Sequence, residues 1–428
     1  MNLGTILRSL PRTGLASVSD QLVLGASHHD VVLLDRAVSD ALGSESRAVK
    51  HQAAFDASHA LLGSIASRLG IEGGSELLEL ATELFATLGL GELRFEIDAT
   101  GGQAVGSELL VGRGQRERGA TPRAAAAALD AFSAGFAAAA ASVAFPSDWG
   151  SFEAEETSCV ARGDSHCVFT LSRRPLSERR AGAITKADAE QLLSPGAELG
   201  DERSPIAIAT RELVAGFVPN EQGVMRIGEA RFAVLPAAYR AQLEFDTLHL
   251  LEKRQPLSGV ARGATGAELA SLFAELASES ARAGGFHLLG SLYESAALRD
   301  AFGPISDDPG ERAEQLSAIA SVLGWGELSV LEIVPDQRLV VTVPITPEAV
   351  YYAARHGGTP LSRLPGLRGL VEAIAWLSML PELGREPISQ ATYLRLCRGD
   401  TELSTRETRS VLSGDRDSEL VVELRPRR

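Results

Sequence analysis

Two of the three cysteines in this 428-residue chain, Cys159 and Cys167, flank the turn-forming stretch Arg162-Gly163-Asp164-Ser165. Read as a hairpin, this segment sets the two thiols facing each other. Two thiolates so placed can take two corners of a zinc tetrahedron, with Zn–S distances of about 2.3 Å. The gap between them is wider than the roughly two to four residues of a zinc knuckle, so spacing alone does not select metal over packing. Glu156 can supply an oxygen ligand, but strand alternation puts it and Cys159 on opposite faces unless a bulge intervenes. His166 adjoins Cys167 and points away from it. The competing reading makes both cysteines small buried hydrophobes. Cys397 follows Leu394 and Leu396, has no cysteine nearby, and reads as a core or edge-strand residue.

Other candidates carry less chemistry. His28-His29-Asp30 has metal-ligand residue types, but adjacent side chains rarely converge, and its place between two strand-like stretches reads as a turn. Gly112-x-Gly114 lies among charged residues without the strand–helix context of a dinucleotide fingerprint. Arg162-Gly163-Asp164 reads as the hairpin turn. The chain contains no Gly-x-Ser-x-Gly elbow, Walker loop or His-Glu-x-x-His. Trp325, Trp376, Phe132 and Phe136 read as core.

The elements that position the cysteines recur along the chain. Glu156-Thr157-Ser158-Cys159-Val160-Ala161-Arg162-Gly163-Asp164 matches Glu407-Thr408-Arg409-Ser410-Val411-Leu412-Ser413-Gly414-Asp415 without a gap. Leu88-Gly89-Leu90-Gly91-Glu92-Leu93 matches Leu323-Gly324-Trp325-Gly326-Glu327-Leu328, and Leu61-Leu62-Gly63-Ser64 matches Leu288-Leu289-Gly290-Ser291. Leu22–Gly25 corresponds weakly with Met225–Gly228. Four matches in one order read as a tandem duplication. Residues 15–175 and 220–425 are the expected domains, and 176–219 is the linker, polar and rich in charge, Gly and Pro, with one short helix over Ala187–Leu193. The composition of that linker predicts that a cut within it leaves two soluble halves.

Within each copy the pattern predicts a short strand pair (Leu22–Leu24 and Val31–Leu34; Val224–Ile227 and Phe232–Leu235), then helices such as His51–Leu69 and Ser75–Leu88. The Gly-x-Gly turn stops the second helix. Strands follow at Glu92–Ile97 and Glu108–Val111, or Leu328–Val334 and Arg338–Val343. A long apolar helix, Pro122–Val143 or Leu367–Leu380, precedes the closing hairpin. Helices and antiparallel strands mix without strict alternation, which predicts an α+β class.

Glu156-x-x-Cys159-x-x-x-Gly163-Asp164-x-x-Cys167-x-Phe169, preceded by the Gly-x-Gly-x-Leu turn, resembles the terminal motif of the 4-vinyl reductase domain family. The second copy keeps the Gly414-Asp415 turn and loses both cysteines. The resemblance implies a compact domain related in fold to TRAPP transport-particle subunits, holding small hydrocarbon-like or aromatic ligands, with zinc on its cysteines in sensor relatives. The family's middle helix begins with a cysteine five residues before a glycine; Gly135 matches that glycine and Asp130 stands where the cysteine would be. Asp130, Glu156, Cys159 and Cys167 are therefore the candidate zinc ligands. Without metal, Asp130 reads as a helix N-terminal charge. The second copy's corresponding positions are read as Glu372, Ser410 and Ser418, which predicts no metal there.

Composition bounds the function. The chain is 45% hydrophobic and 23% charged, ordinary for a globular protein, and 41 Lys+Arg against 56 Asp+Glu leave a net charge of −15. So acidic a chain is a poor partner for nucleic-acid phosphates. Three cysteines exclude a disulfide framework and fit a reducing, cytoplasmic compartment. Ala124–Phe145 is long enough to span a bilayer, but about half alanine and interrupted by Asp130, it reads as a buried helix. Three functions remain. One is a non-enzymatic module for a small apolar or aromatic ligand, its signal passed to a protein partner, with Ala124–Phe145 lining the cavity. Another is a scaffold in which the tandem copies act as a built-in dimer. The third is a reductase, for which no cofactor motif speaks.

Overall fold

The computed structural model describes residues 3–10, 13–117, 130–147, 150–175, 183–193, 205–253, 265–357, 364–379 and 387–427. After one helical turn, α1 (Leu3–Ile6), come β1 (Leu7–Leu10), β2 (Leu15–Val18) and β3 (Gln21–Ser27). The first half continues with α2 (His28–Leu42), α3 (Ser46–Leu69), α4 (Gly74–Thr87), β4 (Leu93–Ile97), β5 (Gly101–Gly106) and α5 (Leu110–Glu117). It ends with α6 (Ala131–Ala144), β6 (Gly150–Ser158) and β7 (Cys167–Pro175). Two connecting helices, α7 (Lys186–Leu192) and α8 (Pro205–Ala215), lead to β8 (Met225–Ile227) and β9 (Ala230–Pro236). Then come α9 (Ala237–Lys253), α10 (Gly266–Tyr293), α11 (Ala296–Phe302), α12 (Pro309–Val322), β10 (Ser329–Val334) and β11 (Arg338–Val343). The chain closes with α13 (Pro347–His356), α14 (Pro365–Met379), α15 (Gln390–Arg398), β12 (Thr401–Arg409) and β13 (Ser418–Pro426).

Helix ends follow local chemistry. Thr265 and Glu268 form a capping box at α10, and Asp308 and Thr346 cap α12 and α13 ahead of a proline at the first helical positions. The class is α+β: antiparallel sheets packed against helices. Two four-stranded sheets have matching orders, β4-β5-β7-β6 and β10-β11-β13-β12. Gly135 on α6 lies so close to α3 that a Cβ there would meet Ala54 and the backbone of His51 and Phe55; Gly369 on α14 meets Ser278, Ala281 and Arg282 in the same way.

A five-stranded sheet, β1-β2-β3-β9-β8, joins the two halves through β3 and β9, with Gly25 opposite Val234. Two reciprocal pairs of bonds fasten each Gly-x-Gly turn to the other half. Val234 N donates to Leu88 O at 2.9 Å, and Gly25 N to Leu323 O at 2.7 Å. Gly91 N donates to Gly223 O at 3.0 Å, and Gly326 N to Gly14 O at 2.8 Å. Gly89 and Gly324 have φ of 77° and 90°, and a Cβ at either would stand 2.5 Å from a carbonyl oxygen of the opposite central strand. One apolar cluster runs from Leu15 through Phe136 and Phe232 to Val422. The stretches 15–175 and 220–425 thus share a sheet and a core, so the linker's composition does not make them separable bodies.

Local readings change in three places. Val31–Leu34 is not a strand but part of α2, because the buried face continues at helical spacing through Val38 and Leu42. The strand expected at Glu108–Val111 is Gly101–Gly106 instead, and Leu110 already begins α5. The partner of β3 in the repeat is β9, not the Met225–Gly228 stretch, since β2 and β8 each precede their hairpin mate. The predicted helix start at Pro122 lies outside the described residues. No helix among the described residues is long and apolar enough to cross a membrane.

Candidate metal centre

The β6–β7 hairpin turns on Gly163, at φ 104°, and closes through the Asp164 carboxylate, which accepts from Cys159 N at 2.7 Å. A register shift between Glu156 and Ser158 is the bulge that strand alternation required. It brings Glu156 round to the cysteines: one ligand atom each from Glu156, Cys159 and Cys167 lies within 4.8 Å of the others, all buried. The two sulfurs are 3.9 Å apart, and Val160 N–H donates to the Cys167 sulfur at 3.3 Å. Glu156 Oε1 is buried with no hydrogen-bond partner among the described residues. His166 is exposed, with Ser165 Oγ at its ring.

Asp130 abuts this cluster without belonging to the set of three. It caps α6, its Oδ1 accepting from Ser133 N at 2.9 Å and its Oδ2 from Gly112 N at 3.2 Å. Its own backbone N donates to Glu156 Oε2 at 2.7 Å, so the cap and the hairpin hold each other. Gly112, set aside as a failed dinucleotide motif, is the residue that sequence reasoning missed. A Cβ there would stand 3.2 Å from the Cys167 sulfur and 3.6 Å from Asp130 Oδ2. Gly114 gives α5 the same closeness to α2, where a Cβ would meet Val32 at 2.9 Å. The paired glycines let one short helix lie between α2 and the thiols.

The acidic groups crowd one another. Burial, then the neighbouring Glu156 charge, pushes Asp130 up to about 7. Burial and the Cys159 charge push Glu156 up to about 8. The hydrogen bond from the Cys167 thiol favours the Cys159 thiolate and lowers it to about 6, while Cys167 itself is raised as the donor of that bond.

The donor set suits a borderline-soft divalent ion. Two sulfurs and a carboxylate oxygen could serve as three ligands of such an ion. The second half has the same scaffold with oxygen for sulfur. Ser410 N donates to Asp415 Oδ2 at 2.8 Å, and Val411 N to Ser418 Oγ at 3.2 Å. Glu407 stands where Glu156 does, again beside a register shift, and burial pushes it up to about 7. Glu372 does not hold the place of Asp130. Counting back five residues from Gly369, as from Gly135, that place is Leu364. Glu372 instead pairs with Arg282 and Arg368, each at 3.1 Å. Neutral hydroxyls and a leucine make no zinc site.

The remaining candidates are structural. Cys397 lies half-buried on helix α15, not on a strand. His28-His29-Asp30 forms the buried first turn of α2, not an exposed turn: His28 Nδ1 accepts from Arg231 N at 3.1 Å, and His29 stacks on His287. Trp325 Nε1 donates to Gly25 O at 2.9 Å, across the halves. No protein-family model matches this chain, and no curated protein or solved structure matches it.

Proposed function

We propose that this protein is a non-enzymatic scaffold, two 4-vinyl-reductase-like copies fused as a built-in dimer, with a structural zinc site on the first copy's closing hairpin. The observation that carries this reading is the reciprocal docking of each half's Gly-x-Gly turn on the other half's central strand. These bonds, with the pairing of β3 and β9, are what a built-in dimer of two similar units would need. Helix α6, the expected cavity wall, packs its Gly135 directly on the α3 backbone and so serves as core. Zinc, where bound, would clamp Glu156, Cys159 and Cys167 and so tie the hairpin to the start of α6; the metal's part is structural.

A small-molecule module is the second reading, and one feature favours it. A cleft of about 420 Å³ lies between β1, β2 and α8, lined by the apolar Leu7, Val214 and Val322 and by Arg8 and Arg211. Native mass spectrometry of the freshly purified chain separates the two. The scaffold reading expects the polypeptide with one zinc and no organic molecule, and the metal-free mass for Cys159→Ser. A co-purifying organic mass favours the small-molecule reading. Less than about a tenth of an equivalent of zinc removes the metal site and returns the cysteines to buried packing.

A further inference from the structure

The backbone contacts between the halves obey a two-fold relation. Gly25 pairs with Val234 in the β3–β9 ladder, and the bonds to Leu88 O and Leu323 O come from these same two residues. A Cβ at Gly89 would meet the carbonyl oxygen of Phe232, and one at Gly324 that of Val23, which is one contact made in both directions. Along this ladder each half presents to the other what the other presents to it, as the subunits of an isologous dimer do. Its backbone does not tell the first half from the second.

The side chains beside it do. Asp30 of α2 and Tyr239 of α9 correspond, each the third residue of the helix that follows its central strand. Phe132 of α6 and Gly366 of α14 correspond, three residues before Gly135 and Gly369. Ala57 of α3 and Gly284 of α10 correspond, three residues after Ala54 and Ala281. At one crossing Tyr239 meets Phe132 edge to face, ring centroids 4.8 Å apart, with both side chains buried. At the equivalent crossing α10 lies so close to α2 that a Cβ at Gly284 would collide with Asp30. A Cβ at Gly366 would collide there with Glu348 and Arg240, and Arg240 holds Asp30 at 2.5 Å. One crossing is aromatic and filled; the other is ionic and built on glycine.

We propose that the junction is heterotypic: each half takes the other as its mate and refuses a copy of itself, with Asp30 and Tyr239 as the residues that choose. Two first halves joined through the same ladder would set each Asp30 against the other's Phe132 and Ala57. That buries a carboxylate without Arg240 and puts a methyl group where only glycine fits. Two second halves joined in this way would take Asp30 from Arg240 and Phe132 from Tyr239. The proposal rests on the built-in-dimer reading and adds to it what keeps one chain from mating with another.

The test co-produces two full-length chains under different tags and, beside them, two differently tagged copies of residues 1–193 with residues 205–428. In wild type, capture through one tag should recover no second full-length chain. From the halves it should recover 205–428 and none of the other-tagged 1–193. Asp30→Tyr should turn the first half into its own mate, because the Tyr239–Phe132 crossing can then be made twice between two first halves. With that change in both tagged copies, each tag should recover the other, while Asp30→Asn, which keeps the size of the side chain at Gly284, should behave as wild type. Recovery of one wild-type first half by another overturns the proposal. So does an Asp30→Tyr first half that captures only 205–428. The capture of wild-type halves decides by itself where Asp30→Tyr does not fold. Failure of the built-in-dimer reading looks different, since first and second halves would then not capture each other.

Discussion

Asp30 of the first half and Arg240 of the second meet at 2.5 Å with both side chains buried. Arg240 also reaches Glu244 at 2.7 Å and Glu348 at 3.7 Å, so one guanidinium serves three carboxyl groups in the interior between the halves. Burial raises both glutamates, which reduces but does not remove the negative charge gathered there. Arg240→Met should therefore cost about 3–5 kcal/mol, because it strands buried carboxylate without its partner. Denaturant unfolding reads the loss; a change below about 1 kcal/mol would mean that the carboxyls simply take up protons.

The shared sheet makes a prediction opposite to the one that linker composition makes. Residues 1–193 and 205–428, expressed as separate chains, should each aggregate alone and form a one-to-one complex when produced together. Separated β3 and β9 edges leave unpaired backbone and apolar faces in water. Light scattering on the purified species settles it: two well-behaved monomers would mean that the halves fold independently.

Gly112 offers a probe of the metal centre that leaves every proposed ligand in place. Gly112→Val forces side-chain atoms toward the Cys167 sulfur and the Asp130 carboxylate. Zinc affinity should fall by about tenfold or more, as for the loss of a supporting group around a metal site. Competition with a chromophoric chelator measures it. Unchanged affinity would place the metal elsewhere or nowhere.

Glu407 gives a pH dependence free of the cysteines. Its carboxyl sits at about 7 in the folded chain, raised by burial from an ordinary value near 4.5. The folded state therefore holds a proton that the unfolded state releases earlier. The favourable contribution is complete below the unfolded value and is lost as pH climbs toward 7. Glu407→Gln, which cannot ionise, should match wild type near pH 4 and exceed it at pH 8, on the order of 1–2 kcal/mol after allowing for its partial exposure. Parallel melting curves at the two pH values would refute this.

What was legible in the residues was local. The turn at Gly163-Asp164, the helix stops at Gly89 and Gly324 and the order of motifs in the two halves all depend on neighbours a few positions apart, where periodicity and backbone preference act directly. The pairing of Cys159 with Cys167 followed from that turn. Val31–Leu34 was misread because a short apolar run is shared by strands and helices, and β5 was invisible because Gly101-Gly102 and Gly106 offer no strand propensity. Tertiary structure alone decided three things. The bulge at Thr157 put Glu156 beside the thiols, a shift by one residue that reverses a strand's faces. Gly112 became part of the site because α5 had to fit between α2 and the hairpin. And β3 met β9, where each half's Gly-x-Gly turn hydrogen-bonds to the other half. Backbone hydrogen bonding and close packing between segments two hundred or so residues apart leave no trace in any window of sequence, and they made one core of what reads as two domains.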